Sequence, residues 1–173
     1  MKAATLKLKP CIVTLVLLPL VLGCEPTHRA RPGFGSGYDP NIPLCLYYSP
    51  VKVQILPLTE FAAGDQGTFH IDAWVSLLDS AASQVKSPGR FRFELYERVQ
   101  RSAEPKGTRL KIWHDFDLYE PAENNLYWQD YLRAYRFFLP FDPEPGKDYI
   151  LEVTCMTAVG KRLTSAVPLT YSP

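Results

Sequence analysis

The stretch TFHIDAWVSLL, residues 68–78, decides the fold. Phe69, Ile71, Ala73, Val75 and Leu77 fall on one side of an extended chain, and His70, Asp72, Trp74 and Ser76 on the other. Successive side chains of a strand point to opposite faces, so alternation of this kind marks a strand with one face on a core. The same period recurs along the chain. VKVQI (51–55) alternates Val51, Val53 and Ile55 with Lys52 and Gln54. RFRFELYERV (90–99) sets Phe91, Phe93 and Leu95 against Arg90, Arg92 and Glu94. RLKIWHDFDL (109–118) puts Leu110, Ile112, Phe116 and Leu118 on the expected inner face, with His114 among them and Trp113, Asp115 and Asp117 outward. LRAYRFFLPF (132–141), DYILEVTCMT (148–157) and KRLTSAVPLTY (161–171) complete the set.

Turn-forming clusters separate these strands: AAGDQG (62–67), QVKSPG (84–89), SAEPKG (102–107), PAENN (121–125) and DPEPGKD (142–148). Strands do not alternate with helical patterns, which argues against a parallel α/β sheet. The 13% aromatic content and 16 prolines suit an all-β chain. The expectation is an antiparallel β-sandwich of about seven strands over residues 44–173. Its composition resembles immunoglobulin-like, fibronectin-type or C2-like sandwiches, without the hallmark motif of any one of them. No internal repeat is visible.

The N-terminus reads differently. MKAATLKLKP carries three lysines and no acid, and CIVTLVLLPLVLG is an apolar run of 13 residues. A spanning helix needs about 20 apolar residues, whereas a secretory signal has this basic start and short apolar core. The run ends in Val21-Leu22-Gly23-Cys24, which resembles the lipobox of bacterial lipoproteins. The resemblance implies a signal peptide over 1–23, cleaved by signal peptidase II, and a Cys24 bearing diacylglycerol and an amide-linked acyl chain such as palmitate. Leu22 is bulkier than the residue commonest at its position. The partner implied is the lipid bilayer. Each buried methylene contributes about 0.8 kcal/mol, so two or three chains anchor durably where one binds reversibly. Glu25, rather than Asp, favours the periplasmic side of the outer membrane over the inner membrane.

EPTHRARPGFGSGYDPNIP follows, with four prolines, three glycines and no strand or helix period. Residues 24–43 therefore read as the lipidated cysteine and a flexible tether, whose 19 residues after Cys24 reach roughly 60 Å when extended. Three of the 19 basic residues, Lys2, Lys7 and Lys9, sit in the leader. That leaves 16 basic against 18 acidic residues and a formal charge of −2 on the mature chain. No basic stripe remains to follow a phosphate backbone, which excludes nucleic acid from the expected partners.

Signals for chemistry are sparse. His70 and Asp72 share one strand face at ligand-like spacing, but nothing nearby completes a metal or acid–base set. The acids Asp115, Asp117, Glu120, Glu123 and Asp130 surround one loop without the spacing of a known calcium loop. No nucleophile elbow, phosphate loop or dinucleotide fingerprint is present. No catalytic residue, metal or cofactor is therefore assigned. Cys155 falls on an inner strand face and Cys45 just before the first strand, making them a candidate disulfide in an oxidising compartment.

LYEPAENNLYWQDYLRAYRFF, residues 118–138, is the most distinctive segment. Tyr127, Tyr131 and Tyr135 are four apart, which suggests a short helix after Asn125. Packed inward, the rings of this segment would close the end of the sandwich core; exposed, they would suit a protein or sugar partner, with Trp113, Tyr127, Trp128 and Tyr131 as the candidate binding residues. Two function classes follow. One is a non-catalytic envelope lipoprotein whose head binds an envelope protein or serves in assembly. The alternative is a carbohydrate-binding module or anchored hydrolase acting on cell-wall or extracellular glycan.

Overall fold

The computed structural model describes residues 43–64 and 67–171, apart from the side chains of residues 44 and 45. The leader, Cys24 and the tether up to residue 42 lie outside the described residues. Among the described residues ten strands form two antiparallel sheets. The front sheet runs β1 (Lys52–Ile55), β3 (Phe69–Leu78), β8 (Ala134–Pro140), β7 (Trp128–Gln129), with β2 (Glu60–Ala63) also on β3. The back sheet runs β10 (Arg162–Thr170), β9 (Asp148–Thr157), β4 (Gly89–Arg98), β5 (Lys106–Ile112), with β6 (Phe116–Asp117) also on β4. Two short helices, α1 (Leu44–Tyr47) and α2 (Pro121–Tyr127), complete the described elements. None of the described helices is long and apolar enough to cross a membrane.

The sandwich is the one the alternation predicts. Its strand count is higher because β2 and β7 carry no clear period in the sequence and one expected strand, 109–118, breaks into β5 and β6. β1 and β2 are two halves of one edge, pairing Ile55 with Val75 and Glu60 with Asp72. Pro57, which has no N–H for a ladder, lies between them. Across the break Leu56 N–H donates to the Trp74 carbonyl at 2.8 Å, and Trp74 N–H donates to Thr59 Oγ1 at 3.0 Å. A side-chain hydroxyl thus replaces a missing ladder partner.

Inward residues of both sheets meet in one core. Phe137 of β8 is its hub. Its ring centroid lies 4.8 Å from Phe93, 5.2 Å from Phe91, 5.1 Å from Phe116 and 5.2 Å from Tyr127. These are the separations aromatic pairs prefer. Tyr135, two residues earlier on the same face, is also fully buried. Its hydroxyl accepts from Ser87 N–H at 2.9 Å and donates to the Ser87 carbonyl at 2.8 Å, which ties β8 to the turn before β4.

One expected face is reversed. Leu110 and Ile112 point outward, Ile112 being 47% exposed, while Trp113 is only 6% exposed and joins the core. His114 is exposed rather than inward. The cause is a bulge. From Phe91 to Glu94, β4 advances three residues, while its partner advances four, from Phe116 back to Ile112. One extra residue inverts every side chain beyond it. Phe116 and Leu118 keep their inward phase, so the alternation is right on one side of the bulge only.

The helix expected after Asn125 lies instead at Pro121–Tyr127, within a segment that reads as a turn. Proline in the first turn presets the helical φ and loses no needed N–H, and Glu123 complements the helix N-terminus. Buried Asn124 fixes the helix, its Nδ2 donating to the Leu118 carbonyl at 3.0 Å and to that of Ser87 at 3.2 Å. Tyr127, Tyr131 and Tyr135 therefore sit at a helix end, in a turn and on a strand, and share no helical face.

Cys155 is a fully buried free thiol, and burial pushes its pKa up to about 12. The side chain of Cys45, its expected disulfide partner, lies outside the described residues. In the native protein Cys155 should resist alkylation even at pH about 9, where an exposed cysteine is largely thiolate. It should label at once in denaturant without reductant. Mass spectrometry showing no labelling until reductant is added would establish the bridge instead.

Neighbouring phenylalanines give a second prediction. Phe137→Ala should cost about 3–5 kcal/mol in urea unfolding. Phe138→Ala, on the outward face, should cost no more than about 1 kcal/mol. Similar costs at both positions would contradict the assigned faces.

Candidate functional site

The outward face of the front sheet is where exposed rings and polar groups assemble. β3 presents His70, Asp72, Trp74 and Ser76 there, and β8 presents Arg136 and Phe138, with Trp74 opposite Arg136 and Asp72 opposite Phe138. Arg136 donates to both carboxylate oxygens of Asp72 from Nε and Nη2, at 2.8 and 2.9 Å. This two-pronged geometry fixes the guanidinium plane. Its central carbon sits 5.2 Å from the Trp74 ring centroid, a cation–π contact. The hydrogen bond to Asp72 raises the pKa of Arg136 further above its ordinary value. Tyr131 stands edge-on to Trp74 at 6.4 Å, and Phe138 stacks on His70 at 3.8 Å between ring centroids.

The result is layered. His70, Trp74 and Ser76 are buried although they point away from the core. Above them Phe138 is 58% and Tyr131 73% exposed. His70 Nδ1 and Ser76 Oγ are buried with no hydrogen-bond partner among the described residues. A face built this way offers rigid rings beside a planar ion pair. Such a surface can stack on a partner and accept or donate hydrogen bonds in fixed directions. On it Asp72 is bound to Arg136 and His70 is stacked on Phe138.

The four candidate binding residues separate. Trp113 lies inside, its indole N–H donating to the Pro140 carbonyl at 3.1 Å. Tyr127 is half-buried, with its ring 5.6 Å from Phe116 as well as against Phe137. Trp128 is half-buried edge-to-face with Tyr135 at 5.0 Å, and its N–H donates to Asp130 at 2.7 Å. Of the four, Tyr131 alone reaches the outward face of the front sheet. Trp113, Tyr127 and Trp128 therefore form no exposed coplanar row.

Trp74, Arg136 and Phe138 replace them. Their signal was present in the sequence, since period-two alternation puts a Trp and a Phe at outward positions of adjacent strands. Large rings at solvent-facing phases are the anomaly to notice.

Two of the acids around 115–130 are held in ion pairs on the back sheet. Asp115 receives two hydrogen bonds from Arg92 at 2.7 and 2.9 Å, which hold its carboxyl below the usual range. Asp117 pairs with Arg90 at 2.9 Å. Among the described residues no group of three or more His, Cys, Asp and Glu is placed to hold a metal ion. In comparisons with known proteins no family model matches the chain, and no curated protein or solved structure matches it either.

Proposed function

We propose that this protein is a lipid-anchored envelope protein whose β-sandwich head is a non-catalytic binding module. The apolar leader ending in Val21-Leu22-Gly23-Cys24 supports the anchor, and the Pro/Gly-rich segment after it supports a tethered head. The single observation that carries the binding role is the front-sheet face, where exposed Phe138 and Tyr131 flank the Arg136–Asp72 pair over Trp74. Aromatic and arginine side chains held rigid on a sheet lose little conformational entropy on binding, and they dominate binding hot spots. By Glu25 the anchor belongs on the periplasmic side of the outer membrane, where the tether lets the head reach an envelope protein.

The anchor is tested by detergent phase partition. Wild-type protein from native membranes should enter the detergent phase with a mass carrying acyl chains on residue 24. Cys24→Ser should lack the acyl mass and keep the leader. An unmodified wild-type N-terminus would end the lipoprotein reading.

The face is tested by photo-crosslinking in native envelopes, with the crosslinker placed in turn at Tyr131, Phe138 and Ile112. The first two positions should give one discrete product, and Ile112, exposed on the other sheet, should not. A Tyr131→Ala/Phe138→Ala variant should lose that product. Retention of wall glycan by the wild type, lost in the same variant, would move the protein to the carbohydrate-binding class. Equal products at all three positions would remove the front sheet from consideration.

A further inference from the structure

The opposite side of the sandwich carries a different kind of surface. On the outward face of the back sheet the register sets Arg90, Met156 and Arg162 side by side across β4, β9 and β10. Arg92 and Thr154 form the next row. With adjacent strands about 4.8 Å apart, the two rows close on a patch roughly 10 Å wide. There they line an open groove of about 200 Å³, with Asp115 on one wall.

The groove has an excess of donors. Three guanidiniums face one carboxylate within it. Arg92 uses Nε and Nη2 on Asp115, and Arg90 uses Nη2 on Asp117. A guanidinium has five N–H donors, so both retain others. Asp115 and Asp117 lie on the β5–β6 segment at one side, and they aim these two guanidiniums without saturating them. The Arg162 guanidinium makes no ion pair or side-chain hydrogen bond among the described residues, and neither does the Thr154 hydroxyl. An array of pre-oriented forks with one unpaired member and a free hydroxyl is complementary to a tetrahedral oxyanion, whose oxygens can each accept from a different donor.

We propose that this groove is a binding site for a phosphate-bearing anion, held by Arg92, Arg162 and Thr154 with Arg90 at its rim. The phosphate is either free or part of an anionic lipid headgroup. The site lies on the other sheet from the aromatic face and does not depend on the function proposed for that face.

The purified protein is titrated with inorganic phosphate and, separately, with glycerophosphoglycerol, a water-soluble headgroup diester. The arginine Nε–H signals are followed by NMR at constant ionic strength. The expected result is a saturable shift of Arg92 and Arg162 together. Arg162→Gln should weaken binding about tenfold or more, because it removes a charge-assisted hydrogen bond. Lys161→Gln, next in sequence but outside the groove, should stay within about twofold. Thermal unfolding of both variants should match the wild type, since both residues are exposed. Binding of the diester identifies a lipid headgroup, and binding of inorganic phosphate alone identifies a free phosphate. Either supports the site. Absence of saturable shifts, or equal weakening by both substitutions, would reduce the patch to diffuse surface charge and overturn the proposal.

Discussion

The packing of Phe137 against Phe91, Phe93, Phe116 and Tyr127 is the contact on which the rest of the molecule depends. It joins a strand of the front sheet to two strands of the back sheet and to the end of α2. Burying so many rings in one cluster supplies the apolar area that a sandwich of short strands needs. It also sets the phase of β8. With Phe137 and Tyr135 inside, Arg136 and Phe138 must lie outside. The core and the candidate binding face are therefore two sides of one constraint.

The bulge between β4 and the β5–β6 segment has a comparable reach. By inverting the phase it turns Trp113 inward, where the indole N–H binds the Pro140 carbonyl at the end of β8. This covers part of a strand that β7 pairs only at Tyr135 and Ala134. Open strand ends invite pairing with other chains, and a ring laid against one blocks that approach. The same inversion carries Leu110 and Ile112 outward on β5, an edge strand that also carries Lys106, Arg109 and Lys111. Bulges and basic side chains are common ways of keeping an edge from aggregating.

The two outward faces differ in kind. On the front sheet one ion pair lies over a buried tryptophan and is flanked by exposed rings. On the back sheet pairs recur along the strands: Arg90 with Asp117, Arg92 with Asp115, Arg109 with Glu94, and Lys106 with Glu152. Pairs exposed to this degree contribute little stability. Their larger effect is to fix the directions of long side chains, which matters for recognition more than for folding.

Local alternation was enough to determine the all-β class, most strands and most of the core. The face of a strand depends only on parity, and Phe69 through Leu77, Phe91 through Leu95 and Tyr149 through Cys155 keep it without interruption. What alternation lacks is any record of an inserted residue in a partner strand. That is why Trp113 and His114 exchanged places. The front-sheet face was half legible, since Trp74 and Phe138 sit at outward phases in the sequence itself. That Arg136 would bridge Asp72 and cover Trp74 was decided by the register of β3 against β8, a pairing of residues 64 apart in the chain. Likewise Arg90, Arg92 and Arg162 lie in two distant segments, and only the antiparallel order β4–β9–β10 brings them to one groove. Sequence determines what each strand buries, because burial follows parity along one chain. Tertiary structure decides which outward residues meet, because that depends on register between chain segments the sequence does not place side by side.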